Sequence, residues 1–288
     1  MHELYKWPDQ KKCAVAITFD YDAESPYLWR NRDKDWAGIG EYEQRKFGPR
    51  QAIDRILDLL EKWEIKATFF IPGYVAEQYP ETVKLIHSKQ HEIGLHGYLH
   101  ERVDEINEAE IEEAIIKSKR IFQELTGAQI RGYRSPSWEI TNDTLKVLKR
   151  SDILYDSSLM GYDHPYWIND IPELPVQWLL DDVVYYRHVG GGGRSTSPNN
   201  PMNVIDLWKQ EFLGLKEYGG LFMLTMHPWV SGRGSRLMAL ENLFRYLKED
   251  PDIWWATCKE LAEYHQQSHQ DKFREYAPNT KELNRSRG

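Results

Sequence analysis

The chain has 288 residues, 41% of them hydrophobic and 13% aromatic, enough for a large packed core. Its formal charge of −8 argues against a nucleic-acid partner, because a phosphate backbone calls for clustered Lys and Arg. No run approaches the ~20 apolar residues that cross a bilayer.

The opening residues MHELYKWPDQKKC carry no apolar stretch of secretory type, so the expectation is a cytoplasmic protein. Cys13 and Cys258 are then two reduced thiols rather than a disulfide. Ala14 to Phe19 reads as a buried strand ending on Asp20. Ala52, Ile53, Ile56, Leu57, Leu60 and Trp63 recur at helical steps from a start near Pro49. Ala67 to Ile71 is a second strand stopped by Pro72-Gly73; a helix through Val83, Leu85 and Ile86 and a strand Glu92 to Leu95 follow. Asn107 with Glu110 forms a capping box before the helix carrying Ile111, Ile115, Ile121 and Phe122. Further strands are expected at Ile130 to Tyr133, Ile153 to Tyr155, Val183 to Arg187, Leu221 to Met226 and Ile253 to Ala256. Helices fill Thr141 to Arg150, Met202 to Tyr218, Ser235 to Glu249 and Lys259 to Gln267.

Repeated strand–helix alternation implies a parallel sheet with crossover helices, and at this length a distorted (β/α) barrel of seven to eight parallel strands. One α/β domain accounts for residues 1–267, and the polar stretch 268–288 reads as a C-terminal tail, an arm or a disordered end. The glycine run Gly190 to Gly193 lacks the spacing and lysine of a phosphate loop and reads as a mobile loop over the pocket.

The polar residues fall at strand ends. Asp20 and Asp22 follow the first strand, His96 and His100 the third, Arg134 the fourth and Asp156 the fifth, while His227 ends a late one. In a parallel barrel that is the face on which active sites are built. Asp20 and Asp22, two apart, point the same way in extended backbone, and two such carboxylates call for a cation or a shared proton. His96 and His100 in HGYLH stand four apart, which on one turn of helix puts both imidazoles on one side. Asp22, His96 and His100 form a three-ligand set with an open position, as catalytic metal sites have. Asp20 is left free as a general base, with Arg134 placed to pair with its ionised form. His227 is the candidate to protonate a leaving group. Zinc is the default metal, with Co, Ni, Mn or Fe also suited to two histidines and one carboxylate.

Together these residues resemble the polysaccharide deacetylase family, also called the NodB-homology or carbohydrate esterase 4 group. TFDYD at Thr18 to Asp22 is similar to its first motif with one residue inserted between the aspartates; HGYLH at His96 to His100 is similar to the second. RSPSW at Arg134 to Trp138 and LTMHP at Leu224 to Pro228 resemble the third motif and the one carrying the acid histidine. The likeness runs from about Ala14 to Glu263 and implies a distorted barrel that hydrolyses a non-peptide C–N bond. FDYDAE with GRGSR at Gly232 to Arg236 resembles a branch of peptidoglycan-deacetylase-like proteins, cyclic imide hydrolases and metal-independent allantoinases. Because Asp22, His96 and His100 are all present, metal dependence is expected.

The family's Asp that orients the acid histidine has no clean match: Asp182 or its neighbour Asp181 is the expected equivalent, with Asp156 as competitor. Trp138, Trp229 and Tyr21 are expected substrate contacts, and Trp167 and Trp178 could also stack on sugar rings. The substrate is a glycan or small-molecule amide, with a cytoplasmic cyclic imide or ureide as the alternative. A catalytically silent barrel with a binding or scaffold role is the competing class. The resemblance also implies a homotetramer.

Overall fold

The structure, a computed structural model, describes residues 4–35, 37–189 and 199–278. Its strands are β1 (Cys13–Asp20), β2 (Thr68–Ile71), β3 (Glu92–Leu95), β4 (Gly132–Tyr133), β5 (Tyr155–Asp156), β6 (Tyr166–Ile168), β7 (Ile171–Glu173), β8 (Leu221–Met226), β9 (Ile253–Trp255) and β10 (Arg274–Glu275). Helices α1 (Ser25–Arg30), α2 (Ile39–Arg45) and α3 (Ile53–Lys62) lead from β1 to β2, and α4 (Gly73–Gln78) and α5 (Pro80–Ser88) lead on to β3. The long α6 (Glu108–Thr126) and then α7 (Asn142–Arg150) cross to β4 and β5. Short α8 (Val183–Tyr186) and long α9 (Pro201–Tyr218) precede β8; α10 (Pro228–Ser231) and α11 (Gly234–Lys248) precede β9; α12 (Cys258–Ser268) follows it.

The apolar run CAVAITF makes β1 the spine. All eight of its residues are buried, as a strand covered on both faces requires. Parallel β8 lies along one flank, pairing Ala14–Phe19 with Leu221–Met226. The other flank is divided. β9 takes Cys13 to Val15, and β2 takes Thr18 to Asp20. From β2 the sheet continues through β3, β4, β5, β7, β6 and β10. On the open side of β8 one residue outside the strands, Asp181, bridges to Thr225. The result is a curled, mostly parallel (β/α) half-barrel, and its carboxyl-end rim is where β1, β3, β4 and β8 deliver their polar residues.

Local chemistry sets the helix boundaries. Asn107 accepts from the Ala109 and Glu110 amides while the Glu110 carboxylate returns to the Asn107 amide, the reciprocal cap read in the sequence. Gly127, at φ 72°, ends that helix.

Three expectations are corrected. Val183–Arg187 is not a strand: the Asp181 carboxylate caps the Val183 amide at 2.8 Å and the Asp182 carbonyl accepts from the Tyr185 and Tyr186 amides. Those bonds wind VVYY into α8 against its β propensity. Second, Tyr166 to Glu173 forms a β6–β7 hairpin, antiparallel, turned by Asn169 and Asp170 at positive φ. Third, the stretch after Gln267 is no free arm over its first residues. Arg274 and Glu275 pair in parallel with β6, His269 is buried, and Phe273 packs beside Tyr5 and His164. Residues 190–193 lie outside the described residues, so the glycine loop does too. Among the described residues no helix is long and apolar enough to cross a membrane.

Candidate active site

The site starts at the end of β1. Asp20 is its last residue, and just beyond Asp22 the chain turns into α1, with the Ser25 amide and hydroxyl both donating to the Asp22 carbonyl. Strand alternation aims Asp20 and Asp22 into one cleft and sends Tyr21 the other way. Tyr21 is therefore corrected as a substrate contact: it is fully buried in the apolar core and does not line the cleft. Burial pushes its phenol well above the ordinary range.

HGYLH is not a helical turn. Gly97 (φ 69°) and His100 (φ 61°) both adopt left-handed backbone, and the Glu101 carboxylate accepts from the Tyr98 and Leu99 amides inside the bend. A Cβ on Gly97 would sit 2.7 Å from Glu101 Oε2 and 3.1 Å from Pro136, so only glycine fits there. The two imidazoles meet edge to face, ring centres 5.0 Å apart. His96 Nδ1 is 2.7 Å from the Arg134 carbonyl oxygen. That oxygen only accepts, so the proton sits on Nδ1 and the Nε2 lone pair faces Asp22.

His96 Nε2 lies 3.4 Å from Asp22 Oδ1, and His100 Nε2 lies 3.7 Å from Asp22 Oδ2. One ligand atom from each of the three residues falls within 4.8 Å of the other two. Asp22 Oδ1 is buried with no hydrogen-bond partner, a cost that a cation would remove. Two imidazoles and one carboxylate therefore fit a divalent metal. Burial would push the Asp22 carboxyl up, but His100, His96 and His227 hold it well below the usual carboxylate range. Burial takes His100 down to about 4, keeping its lone pair available. For His96 burial is outweighed by Asp20 and Asp22, and its pKa rises.

Arg134, wholly buried, organises the next layer. Its Nη1 donates to Asp20 Oδ1 at 2.8 Å and to Thr18 Oγ1 at 3.0 Å, and its Nε and Nη2 hold the Ser157 carbonyl and hydroxyl. The Phe70 ring covers the guanidinium at 4.1 Å. Asp20 Oδ2 stands 4.0 Å from His96 Nε2.

Across the cleft, His227 is gripped twice by Asp182: Nδ1 at 2.8 Å from Oδ1 and the backbone amide at 2.9 Å from Oδ2. Ser231 also donates to Oδ2. With both Asp182 oxygens so engaged, Asp181, Asp182 and His227 do not make a second cation site, although they cluster. Burial works against the His227 cation, yet Asp182 raises its pKa to about 10. The imidazole Nε2 is 3.7 Å from Asp22 Oδ2.

Asp156, the competitor for the orienting role, is elsewhere, paired in the core with Glu173. Asp181 lines the cleft 3.9 Å from His227 Nδ1, and burial pushes its carboxyl up to about 7.

These groups share a cleft of about 310 Å³ walled by Trp29, Trp138, Trp178 and Trp229. Trp138 stacks on Trp178 with ring centres 4.4 Å apart. Trp167 is not part of it: its indole N–H donates to the His269 carbonyl, under β10. The sequence reading missed Arg45, 5% exposed on the cleft wall. A short helix after an irregular segment carries no motif, and the one available signal was Glu41 four residues before it.

The profile of the family described as Polysaccharide deacetylase matches residues 8–155. The peptidoglycan deacetylase of Helicobacter pylori is 28% identical over 88% of this chain and 96% of its own length. A solved structure from Mycobacterium smegmatis assigned to the polysaccharide deacetylases superposes with a TM-score of 0.89 at 35% identity, covering 96% of this chain and 98% of that one. The PuuE allantoinase structure shares the fold, with a TM-score of 0.78 at 21% identity over 91% of this chain and 93% of its own. With a match over half the chain and the M. smegmatis relative spanning nearly all of it, this chain belongs to the polysaccharide deacetylase family, hydrolases of amide C–N bonds.

Proposed function

We propose that the cleft hydrolyses an amide of deacetylase type, with Asp22, His96 and His100 holding a divalent cation, zinc by default. When bound, that cation supplies Lewis-acid polarisation of the carbonyl and acidifies water beside it. Asp20 takes the proton of the attacking water, and Arg134 fixes the carboxylate for that task through Oδ1, leaving Oδ2 toward His96. As the C–N bond breaks, His227 Nε2 gives its proton to the departing nitrogen, and Asp182 holds the imidazole in the tautomer and orientation this needs. The tryptophan walls exclude water and offer flat apolar faces to a ring.

The observation that carries this reading is the convergence of two differently supported groups on one trio. Asp20, backed by Arg134, approaches from the His96 side, and His227, backed by Asp182, approaches from the Asp22 Oδ2 side. A catalytically silent scaffold has no need of two such buried charged supports.

A second reading, a small cyclic imide or ureide as substrate, is favoured by the size of the cleft. About 310 Å³ matches a single ring seated at the reacting groups. Incubating zinc-loaded protein in parallel with N-acetylglucosamine oligomers and with succinimide-type rings separates the two. Acetate release supports the deacetylase form and ring opening the imidase form; turnover of neither, with metal bound, counts against amide hydrolysis here.

A further inference from the structure

Arg45 is the most deeply placed cation on the α1–α2 side of the cleft. Its side chain is 6% exposed, and its guanidinium lies over the Trp229 ring at 4.8 Å. It stands close enough to Asp22 and His100 to act on both electrostatically. Its one hydrogen bond to a described residue runs from Nε to Glu41 Oε1, at 3.0 Å. The two terminal amino groups, four N–H donors, have no acceptor among the described residues. These donors of a charged fork line the cleft and can take up an acceptor on a ligand.

Glu41 does not neutralise this region. Arg30 Nη2 is 2.5 Å from the same Oε1, and Arg187 Nη2 approaches it at 3.7 Å. Arg30 and Arg45 against one carboxylate already leave positive charge on this wall. The other acids that line the cleft face other partners: Asp22 lies against His96 and His100, Glu105 pairs with Arg32 and Arg102, Asp20 with Arg134, and Asp181 points toward His227 and the Val183 amide. Among the described residues no acid accepts a hydrogen bond from the terminal amino groups of Arg45.

We infer that Arg45 is the anchor for a carboxylate on the substrate, so that the cleft takes a small amide or imide bearing a carboxylate beside its scissile group. This rests on amide hydrolysis at the Asp22–His96–His100 trio and names the substrate class for it. The planar fork of Arg45 matches a carboxylate in bidentate fashion, the Trp229 face holds the fork flat, and Arg30 and Arg187 at the mouth attract the anion. A neutral N-acetyl sugar would leave the fork without its partner.

The test uses zinc-loaded full-length protein and two readouts. Calorimetry with succinate measures carboxylate binding without turnover. Hydrolysis of a succinimide ring bearing a carboxylate, against the same ring bearing a carboxamide, measures discrimination. The expected result is succinate binding weakened at least about tenfold by R45Q and less by R45K, since a lysine keeps charge but loses the fork. Wild-type kcat/KM should favour the acid over the carboxamide by at least about tenfold, and R45Q should erase that ratio mainly through KM. Succinate that does not bind wild type, or binds R45Q as well, overturns the inference. Should R45Q fail to fold, R30Q and R187Q decide, because both lie nearer the solvent: unchanged succinate binding in both overturns it. If no amide is turned over while succinate binding still depends on Arg45, amide hydrolysis is rejected and the carboxylate site stands.

Discussion

Asp182 holds His227 at two points, one oxygen on the imidazole Nδ1 at 2.8 Å and the other on the same residue's backbone amide at 2.9 Å. A ring fixed through both side chain and main chain has a single orientation, with Nε2 directed at the Asp22 side of the cleft. Replacing Asp182 by Asn keeps the shape but puts an N–H where an acceptor is needed, or frees Nδ1 to change tautomer. D182N should lower kcat by about 10³–10⁴-fold with little change in KM, as such a change does in comparable acid–base pairs. The alkaline limb of the pH–rate profile offers a second reading. Asp182 raises the His227 pKa to about 10, so the donating proton is retained through neutral pH and lost above that value. In D182N the limb should move down toward the ordinary histidine range. A limb that stays put would remove His227 as the proton donor.

Asp20 is the base only if its loss leaves the metal behind. Its carboxylate meets Arg134 at 2.8 Å and stands 4.0 Å from His96 Nε2, beyond coordination partners but within reach of a water between them. D20N is expected to lose about 10²–10⁴-fold in kcat while elemental analysis still finds one equivalent of divalent metal. Loss of metal together with activity would make Asp20 a ligand instead.

The metal trio should be readable without any substrate. A cation binding the native state alone stabilises it by about 2.7 kcal/mol at a hundred times its Kd. Zinc should therefore raise the melting temperature of chelator-treated protein by several degrees, at ~2–4 °C for each kcal/mol in a chain of this size. H100A should abolish the shift. G97A should weaken metal binding without touching a ligand, because its Cβ would meet Glu101 Oε2 at 2.7 Å and its φ of 69° suits only glycine. Strain of about 1–3 kcal/mol in the loop predicts roughly ten- to hundredfold weaker binding. An unchanged zinc shift in H100A would remove that histidine from the site.

What could be read in advance was whatever depends on a strand and its end. The apolar runs ending in Asp20, Leu95 and Met226 placed the carboxylates and histidines on one rim, because strand direction alone decides that placement. What depends on tertiary contact was not readable. The HGYLH spacing suggests a helix, and only Glu101, reaching back to two amides, together with Gly73 and Ser118 on the Gly97 carbonyl, makes it a loop. VVYY favours a strand until the two preceding aspartates cap it. The place of Tyr21 was legible too, since the alternation that points Asp20 and Asp22 inward turns the residue between them away. The Asn169-Asp170 pair was also a legible hairpin signal. Arg45 had only Glu41, four residues before it, as a signal, because its meaning lies in having too few partners.

A carboxyl pair outside the chemistry holds a proton in the core. Asp156 and Glu173 are both wholly buried where β5 meets β7. Ser158 donates to Asp156 Oδ1, and the Ser158 and Leu159 amides donate to Glu173 Oε1. The remaining oxygen of each acid has no other protein donor, so a single proton held between them satisfies both. Burial, and then the charge of Asp156, push the Glu173 carboxyl well above its ordinary range, so Glu173 keeps the proton. An acid whose folded pKa is raised binds more protons folded than unfolded at intermediate pH, so stability falls as pH rises above the unfolded value near 4.5. Gln at 173 supplies the same donor toward Asp156 and the same acceptor for the two amides, with no proton to lose. E173Q should therefore melt at least a few degrees above wild type at pH 8, and the gap should close toward pH 4, where both chains are neutral at this position. A variant that melts lower than wild type at pH 8 would show that Glu173 is ionised in the fold.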